Sequence, residues 1–296
     1  MQNRGDLTVT SNTSNTSNTS NTSNTGNASG GGDPGTGYVF ANRDDYPFVD
    51  DPKLDQGPPY DIKDLGFPER NWSPVWFAWR TFTEFVQTDW VNIRLAPPDI
   101  TDQRVAGEIA KLVVLARFER RDAIGEILAQ KDEFISYFMG LLNASPSSHP
   151  NTYRLMHTAN LFASFMAMRF KGLYNRQRPS ELEPSLLPPV SVPGHASYPS
   201  GHATQAFLIA RCSRLVFPTG KKDRDKLIQD LKALAARIAR NREIAGLHYK
   251  TDTEAGKELA KGVFLFIEAD RLKADPRDTK IKGYRAVVEA AQKEWA

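Results

Sequence analysis

From Ser73 to the end of the chain, apolar residues recur at three- and four-residue intervals, and no segment alternates apolar and polar positions as a half-buried strand must. Ser73-Pro74 reads as a helix start, a capping hydroxyl followed by a ring already set at helical φ, and opens an aromatic-rich helix over 75–90. Thr101 begins a long amphipathic stretch to about Asn143, with breaks near Arg121 and Lys131. Pro150 and the Pro179 region bound a helix over 151–174, and Pro199-Ser200-Gly201-His202 opens another to about Phe217. Within 223–242, Leu227, Ile228, Leu231, Leu234 and Ile238 share one stripe. Thr251 with Glu254 has the spacing of a capping box for a helix reaching about Arg271, and a last helix covers 284–295. The pattern predicts an all-α fold, a single helical-bundle domain over 71–296, because no Pro/Gly linker interrupts it after residue 70.

The N-terminal part is of another kind. Residues 11–25 repeat Ser-Asn-Thr, and a Gly-rich stretch runs on to Gly37 with almost nothing apolar to bury, so 1–37 is predicted to be a disordered tail. Residues 38–70, rich in Pro, Asp and aromatics, are predicted to form an irregular arm over the body. Composition then narrows the function. Lys plus Arg number 38 against 35 Asp plus Glu, and a net charge of +3 gives no argument for a nucleic-acid partner or an anionic membrane. A single cysteine, Cys212, rules out an intramolecular disulfide framework and a Cys-based zinc cage, and its apolar neighbours make it a core residue. No run approaches the roughly 18 apolar residues of a membrane span, and Met1-Gln-Asn-Arg-Gly-Asp lacks the pattern of a secretory signal. A soluble protein, cytoplasmic by default, is the expectation, with homo-oligomerisation left open.

Three short clusters carry candidate chemistry. Lys171 and Arg178-Pro179 put two cations seven apart where a helix is about to end; alone, they read equally as a solvated basic surface. Ser200-Gly201-His202 combines an N-cap with a glycine that lets a ligand approach the first helical amides, an anion site by construction, or else an ordinary capped start. His248 and Asp252 stand four apart, so a carboxylate can hold one ring nitrogen and free the other, with Arg242 at the end of the preceding helix that Gly246 terminates. The alternative there is a structural His–Asp pair at a helix junction.

Together, Lys-x6-Arg-Pro, Pro-Ser-Gly-His and Arg-x5-His-x3-Asp resemble the three-part signature of the type 2 phosphatidic acid phosphatase / vanadium haloperoxidase superfamily over residues 171–252. One position departs: Asn241 stands where the family usually has serine. The resemblance implies a helical phosphatase-type domain in which Lys171, Arg178 and Arg242 clamp phosphate oxygens and Ser200 and the Gly201 amide add donors. It also implies that His248 is the nucleophile that becomes a phosphohistidine, that Asp252 orients it, and that His202 is the general acid. Phosphoryl transfer needs charge stabilisation on equatorial oxygens and two groups in line at the apices, and these residue types supply both without a metal or other cofactor.

The same signature also serves vanadium-dependent haloperoxidases, with vanadate as cofactor on His248 and with halide and hydrogen peroxide as substrates. His195 resembles a histidine that algal bromoperoxidases carry at this place; otherwise it lines the pocket of a phosphatase as a modulator. The expected function is a metal-independent phosphatase acting on small phosphate monoesters. A haloperoxidase is second, and a catalytically silent anion-binding protein third. Trp72, Trp76, Phe77, Trp79, Phe82 and Phe85 are expected in the core or a dimer face, able also to wall the pocket; His149 and His157 are expected to be structural.

Overall fold

The computed structural model describes residues 66–220 and 223–296. Among them are ten α-helices joined by turns and short 3-10 segments, with no strand, so the all-α expectation holds. The Ser-Asn-Thr tail, and the arm up to residue 65, lie outside the described residues. The helices are α1 (Pro74–Phe85), α2 (Asp102–Phe118), α3 (Arg120–Ala129), α4 (Ile135–Leu141), α5 (Pro150–Tyr174), α6 (Pro179–Leu182), α7 (Gly201–Ser213), α8 (Arg224–Ile244), α9 (Lys250–Arg271) and α10 (Lys282–Glu294). Among the described residues, no helix is long and apolar enough to cross a membrane.

Helix α7 is the axis of the bundle. Every residue from Ala203 to Ala210 is buried, and α5, α8 and α9 pack round it, while α1 and α10 close over α5. The packing is close because small residues face each other: a Cβ on Gly256 of α9 would come within 2.8 Å of both the Ser200 carbonyl oxygen and the Ala203 Cβ. Thus α9 lies directly against the first turn of α7, and the Pro-Ser-Gly-His segment meets the His248–Asp252 segment. Cys212 is fully buried in this core. A second, smaller apolar cluster of Leu112, Leu115, Ile127, Leu186, Ile244 and Leu247 lies beside Tyr249 and fastens α2 and α3 to the α8–α9 junction.

Local chemistry explains where helices begin and end. The Ser73 hydroxyl accepts from the Trp76 amide at 3.4 Å, as its capping role requires. Helix α1 stops at Phe85, short of the expected Trp90, where the Thr88 hydroxyl donates to the Phe85 carbonyl at 2.6 Å and closes the last turn. Helix α5 ends at Asn175, whose φ of 44° lets its amide satisfy the Lys171 carbonyl. At its start, the Glu294 carboxylate accepts from the amides of Asn151 at 2.7 Å and Thr152 at 2.9 Å. The start of α9 corrects the predicted capping box. Asp252, not Glu254, reaches back, to the Tyr249 amide at 3.1 Å, while the Thr251 amide and hydroxyl both donate to Glu108 of α2 at 2.9 Å. A carboxylate three residues past Tyr249 meets the first free amide, and Glu108 takes Thr251 out of the competition.

The Gly256 contact is testable. Gly256→Ala should cost on the order of 1–3 kcal/mol, because backbone rather than a flexible side chain blocks the new methyl. A lower midpoint in urea unfolding with an unchanged slope is the expected result; unaltered stability would mean that the two helices are not pressed together there.

Candidate active site

The three clusters converge on one cavity of about 270 Å³, whose wall includes Lys171, His195, Gly201, His202, Arg242 and His248. They arrive from different elements: Lys171 from the last turn of α5, Gly201 and His202 from the first turn of α7, Arg242 from the last turn of α8, and His248 from the turn before α9. Gly246 makes that turn, with φ of 75° and its amide on the Glu243 carbonyl. Asp252, Arg178 and Ser200 are buried but stand behind the wall.

Hydrogen-bond chemistry fixes the tautomers of His248 and His202. His248 Nδ1 lies 3.2 Å from Asp252 Oδ2, and a carboxylate accepts, so the ring hydrogen is on Nδ1 and the Nε2 lone pair is free. The same Asp252 oxygen accepts from the Ser197 hydroxyl and the Tyr249 amide. His202 Nε2 lies 3.0 and 3.2 Å from the carbonyls of Gln130 and Lys131, so its hydrogen is on Nε2 and Nδ1 is the nitrogen left to a ligand. His195 Nδ1 lies between Arg178 Nη2, at 3.0 Å, and the Ala196 carbonyl, at 3.1 Å.

The cations are held by backbone oxygens. Lys171 Nζ donates to the carbonyls of Ala196 at 2.7 Å and Ser197 at 2.9 Å. Arg178 donates through Nε to the His195 carbonyl and through Nη1 to that of Leu247, both at 2.9 Å. With the His195 ring bond this commits three of its five N–H groups and leaves two. Arg242 Nη2 donates to the Ile127 carbonyl at 2.7 Å, and its Nε is buried with no partner. Asn241, the position that departs from the family pattern, holds α8 against α3 through Glu126 and Gln130 at 2.9 and 2.8 Å.

The Ser200 hydroxyl accepts from the Ala203 amide at 3.3 Å as the α7 cap, and Gly201 stands in the cavity wall in front of it. Two residues that the motifs do not mark prove central. Ser197 holds Asp252, and Arg176 donates to Asp252 Oδ1 at 2.8 Å from a buried position. The rest of the wall is largely apolar, with Trp79 and Phe82 from α1, Leu161, Phe165 and Met168 from α5, and Val190 from the loop before α7. Phe77 and Phe85 are core, as expected, and Trp76 is exposed. His149 is structural, tilted against Trp295 at 4.4 Å, whereas His157 also lines the cavity.

Burial leaves these groups reluctant to carry charge. It lowers Lys171 well below the ordinary ammonium range, with the Arg178 charge adding to the effect. It brings Arg178 and Arg242 each down to about 10. Burial, then the Arg178 and Lys171 charges, pushes His248 well below its ordinary value. Burial with the Arg242 charge lowers His202 to about 3; burial with Lys171 lowers His195 to about 4; burial alone lowers His157 to about 4. Such a cavity gains from taking up an anion, which would relieve the repulsion among its cations and meet the unpartnered Arg242 Nε. Among the described residues, no three His, Cys, Asp or Glu side chains gather as metal ligands.

No protein-family model matches the chain, and no curated protein matches it. Among solved structures it is similar to the crystal structure of the first transmembrane PAP2 type phosphatidylglycerolphosphate phosphatase from Bacillus subtilis. The two are 16% identical, with a TM-score of 0.46, over 68% of this chain and 98% of that one.

The depressed histidines set a pH dependence. At any pH between their folded values and about 6.5, the unfolded chain binds more protons than the folded one, so stability is full above 6.5 and falls as the pH drops. Thermal unfolding is expected at a lower temperature at pH 5 than at pH 7, and inorganic phosphate should narrow the gap. An unfolding temperature equal at both pH values would contradict the buried neutral rings.

Proposed function

We propose that this protein is a phosphatase that hydrolyses phosphate monoesters without a metal, through a phosphohistidine on His248. The observation that carries the proposal is the pairing of a free Nε2 lone pair on His248 with Lys171, Arg242 and the first amides of α7 round one cavity. In this reading the phosphoryl oxygens meet Lys171, Arg242 and the Gly201 amide, and the Arg178 charge acts from behind the wall. His248 Nε2 attacks phosphorus as the ester P–O bond breaks, and the leaving oxygen takes a proton from His202 Nδ1. Water then attacks phosphorus and gives its proton to His202, while the P–N electron pair returns to Nε2 and phosphate departs.

His202 is neutral before the substrate arrives, so the acid form is created by binding. A phosphate charge beside the ring and the two carbonyls on Nε2 all favour the imidazolium, and the proton enters on Nδ1. The cavity has room for on the order of twenty water-sized groups, far more than a phosphate fills. Its apolar wall suits an organic leaving group. Vanadate would occupy the same cage as phosphate does, and that wall, which halide and peroxide do not need, favours ester hydrolysis over the haloperoxidase reading. The free lone pair on His248 likewise speaks against a silent anion-binding protein.

His248→Ala should reduce kcat with p-nitrophenyl phosphate by at least about 10³-fold. Wild-type enzyme quenched in alkaline denaturant should carry alkali-stable, acid-labile phosphate on His248, and turnover should survive EDTA and be blocked by vanadate. His202→Ala should slow alkyl phosphates more than p-nitrophenyl phosphate, whose leaving oxygen needs less help from an acid. Full activity in His248→Ala, or bromination of a diketone with vanadate and peroxide in the absence of hydrolysis, would overturn the proposal.

A further inference from the structure

Behind His248 lies a buried chain of charges that the phosphatase motifs do not include. Arg176, in the segment between α5 and α6, is 6% exposed and sits between two carboxylates. Its Nη1 donates to Asp252 Oδ1 and to the Thr251 hydroxyl, each at 2.8 Å, and its Nη2 donates to Glu108 Oε2 at 3.0 Å. The guanidinium carbon lies 3.7 Å from the centre of the Tyr249 ring, which keeps the group flat against the turn that carries His248. Glu108, 5% exposed on α2, also accepts from the Thr251 amide and hydroxyl. None of these side chains except His248 lines the cavity.

We propose that Arg176, fixed by Glu108, is a positioning residue that acts on His248 through Asp252. The proposal rests on the reading of His248 as nucleophile. Asp252 can accept the Nδ1 hydrogen only while it is an ionised carboxylate with Oδ2 turned to the ring. Its other partners, the Ser197 hydroxyl and the Tyr249 amide, are neutral and gather on Oδ2. Arg176 is the donor on Oδ1 and thereby fixes the plane of the carboxylate. Without it Oδ1 loses this partner and the carboxylate is free to turn, so that Oδ2 no longer holds the Nδ1 hydrogen. A ring released from Oδ2 can carry its hydrogen on Nε2 instead, occupying the lone pair that attacks phosphorus. A tautomer error of this kind in a nucleophile–base assembly costs up to about 10⁴-fold in turnover. Glu108 supplies the counter-charge that holds Arg176 in place, and its bonds to Thr251 make α2 part of the site's support.

The test uses the full chain and the variants Arg176→Met, Arg176→Lys and Glu108→Gln. Arg176→Met is expected to lower kcat about 100-fold with KM and vanadate affinity near wild type, because the cavity wall is untouched. Arg176→Lys should recover at least a tenth of wild-type kcat, and Glu108→Gln should fall between. The ¹⁵N shifts of His248 should report hydrogen on Nδ1 in the wild type and Arg176→Lys, and a population with hydrogen on Nε2 in Arg176→Met. Wild-type kcat and an unchanged ¹⁵N pattern in Arg176→Met would overturn the proposal. So would a parallel loss of vanadate affinity and kcat, which marks a merely structural role. If Arg176→Met does not fold, Glu108→Gln decides: a lower kcat with unchanged vanadate affinity supports the proposal, and no change overturns it. The ring signature and vanadate binding need no turnover, so they test the Arg176 coupling even if the wild type hydrolyses no ester.

Discussion

The carboxylate of Asp252, without exposure to solvent, accepts from the Arg176 guanidinium, the Ser197 hydroxyl, the Tyr249 amide and the His248 ring. A buried charge is tolerable only when its lone pairs are met in this way. Meeting them joins the exit of α5, the loop before α7 and the first turn of α9. The backbone adds to the same knot, since the Ser200 amide donates to the Asp252 carbonyl at 3.0 Å. The orientation of the His248 ring and the meeting of the three motif segments are therefore consequences of one arrangement.

A second constraint is the repulsion built into the cavity. Lys171, Arg178 and Arg242 are each held by backbone carbonyls, which fix their positions without neutralising them. A carboxylate partner would have been a stronger clamp and would have cancelled that charge. Stability is given up locally so that the field is preorganised, and the dense α5–α7–α9 packing supplies what holds it.

Much of this was legible in the residue order. Helical periodicity gave the bundle, since every long helix has one apolar face, and the motifs marked Lys171, His202, Arg242 and His248, which the structure brings to one cavity. What escaped was long-range. Arg176 and Glu108 are 68 residues apart and each resembles an ordinary solvated helix charge until the fold pairs them. Thr251 suggested a cap because nothing local reveals that Glu108 claims its amide and hydroxyl. Trp79 and Phe82 wall the cavity, as the aromatic run allowed, whereas His157 carries no motif and only the fold brings it there.

The cap on α5 has a consequence for the order of events during synthesis. That helix holds Lys171 in its last turn, but its first amides wait for Glu294, 143 residues beyond Asn151. The opening turn of the helix cannot be satisfied by its own neighbourhood, so it stays frayed on a nascent chain until α10 has emerged and docked. The same helix therefore has one end closed locally, by Asn175 beside Lys171, and the other closed only by a distant partner.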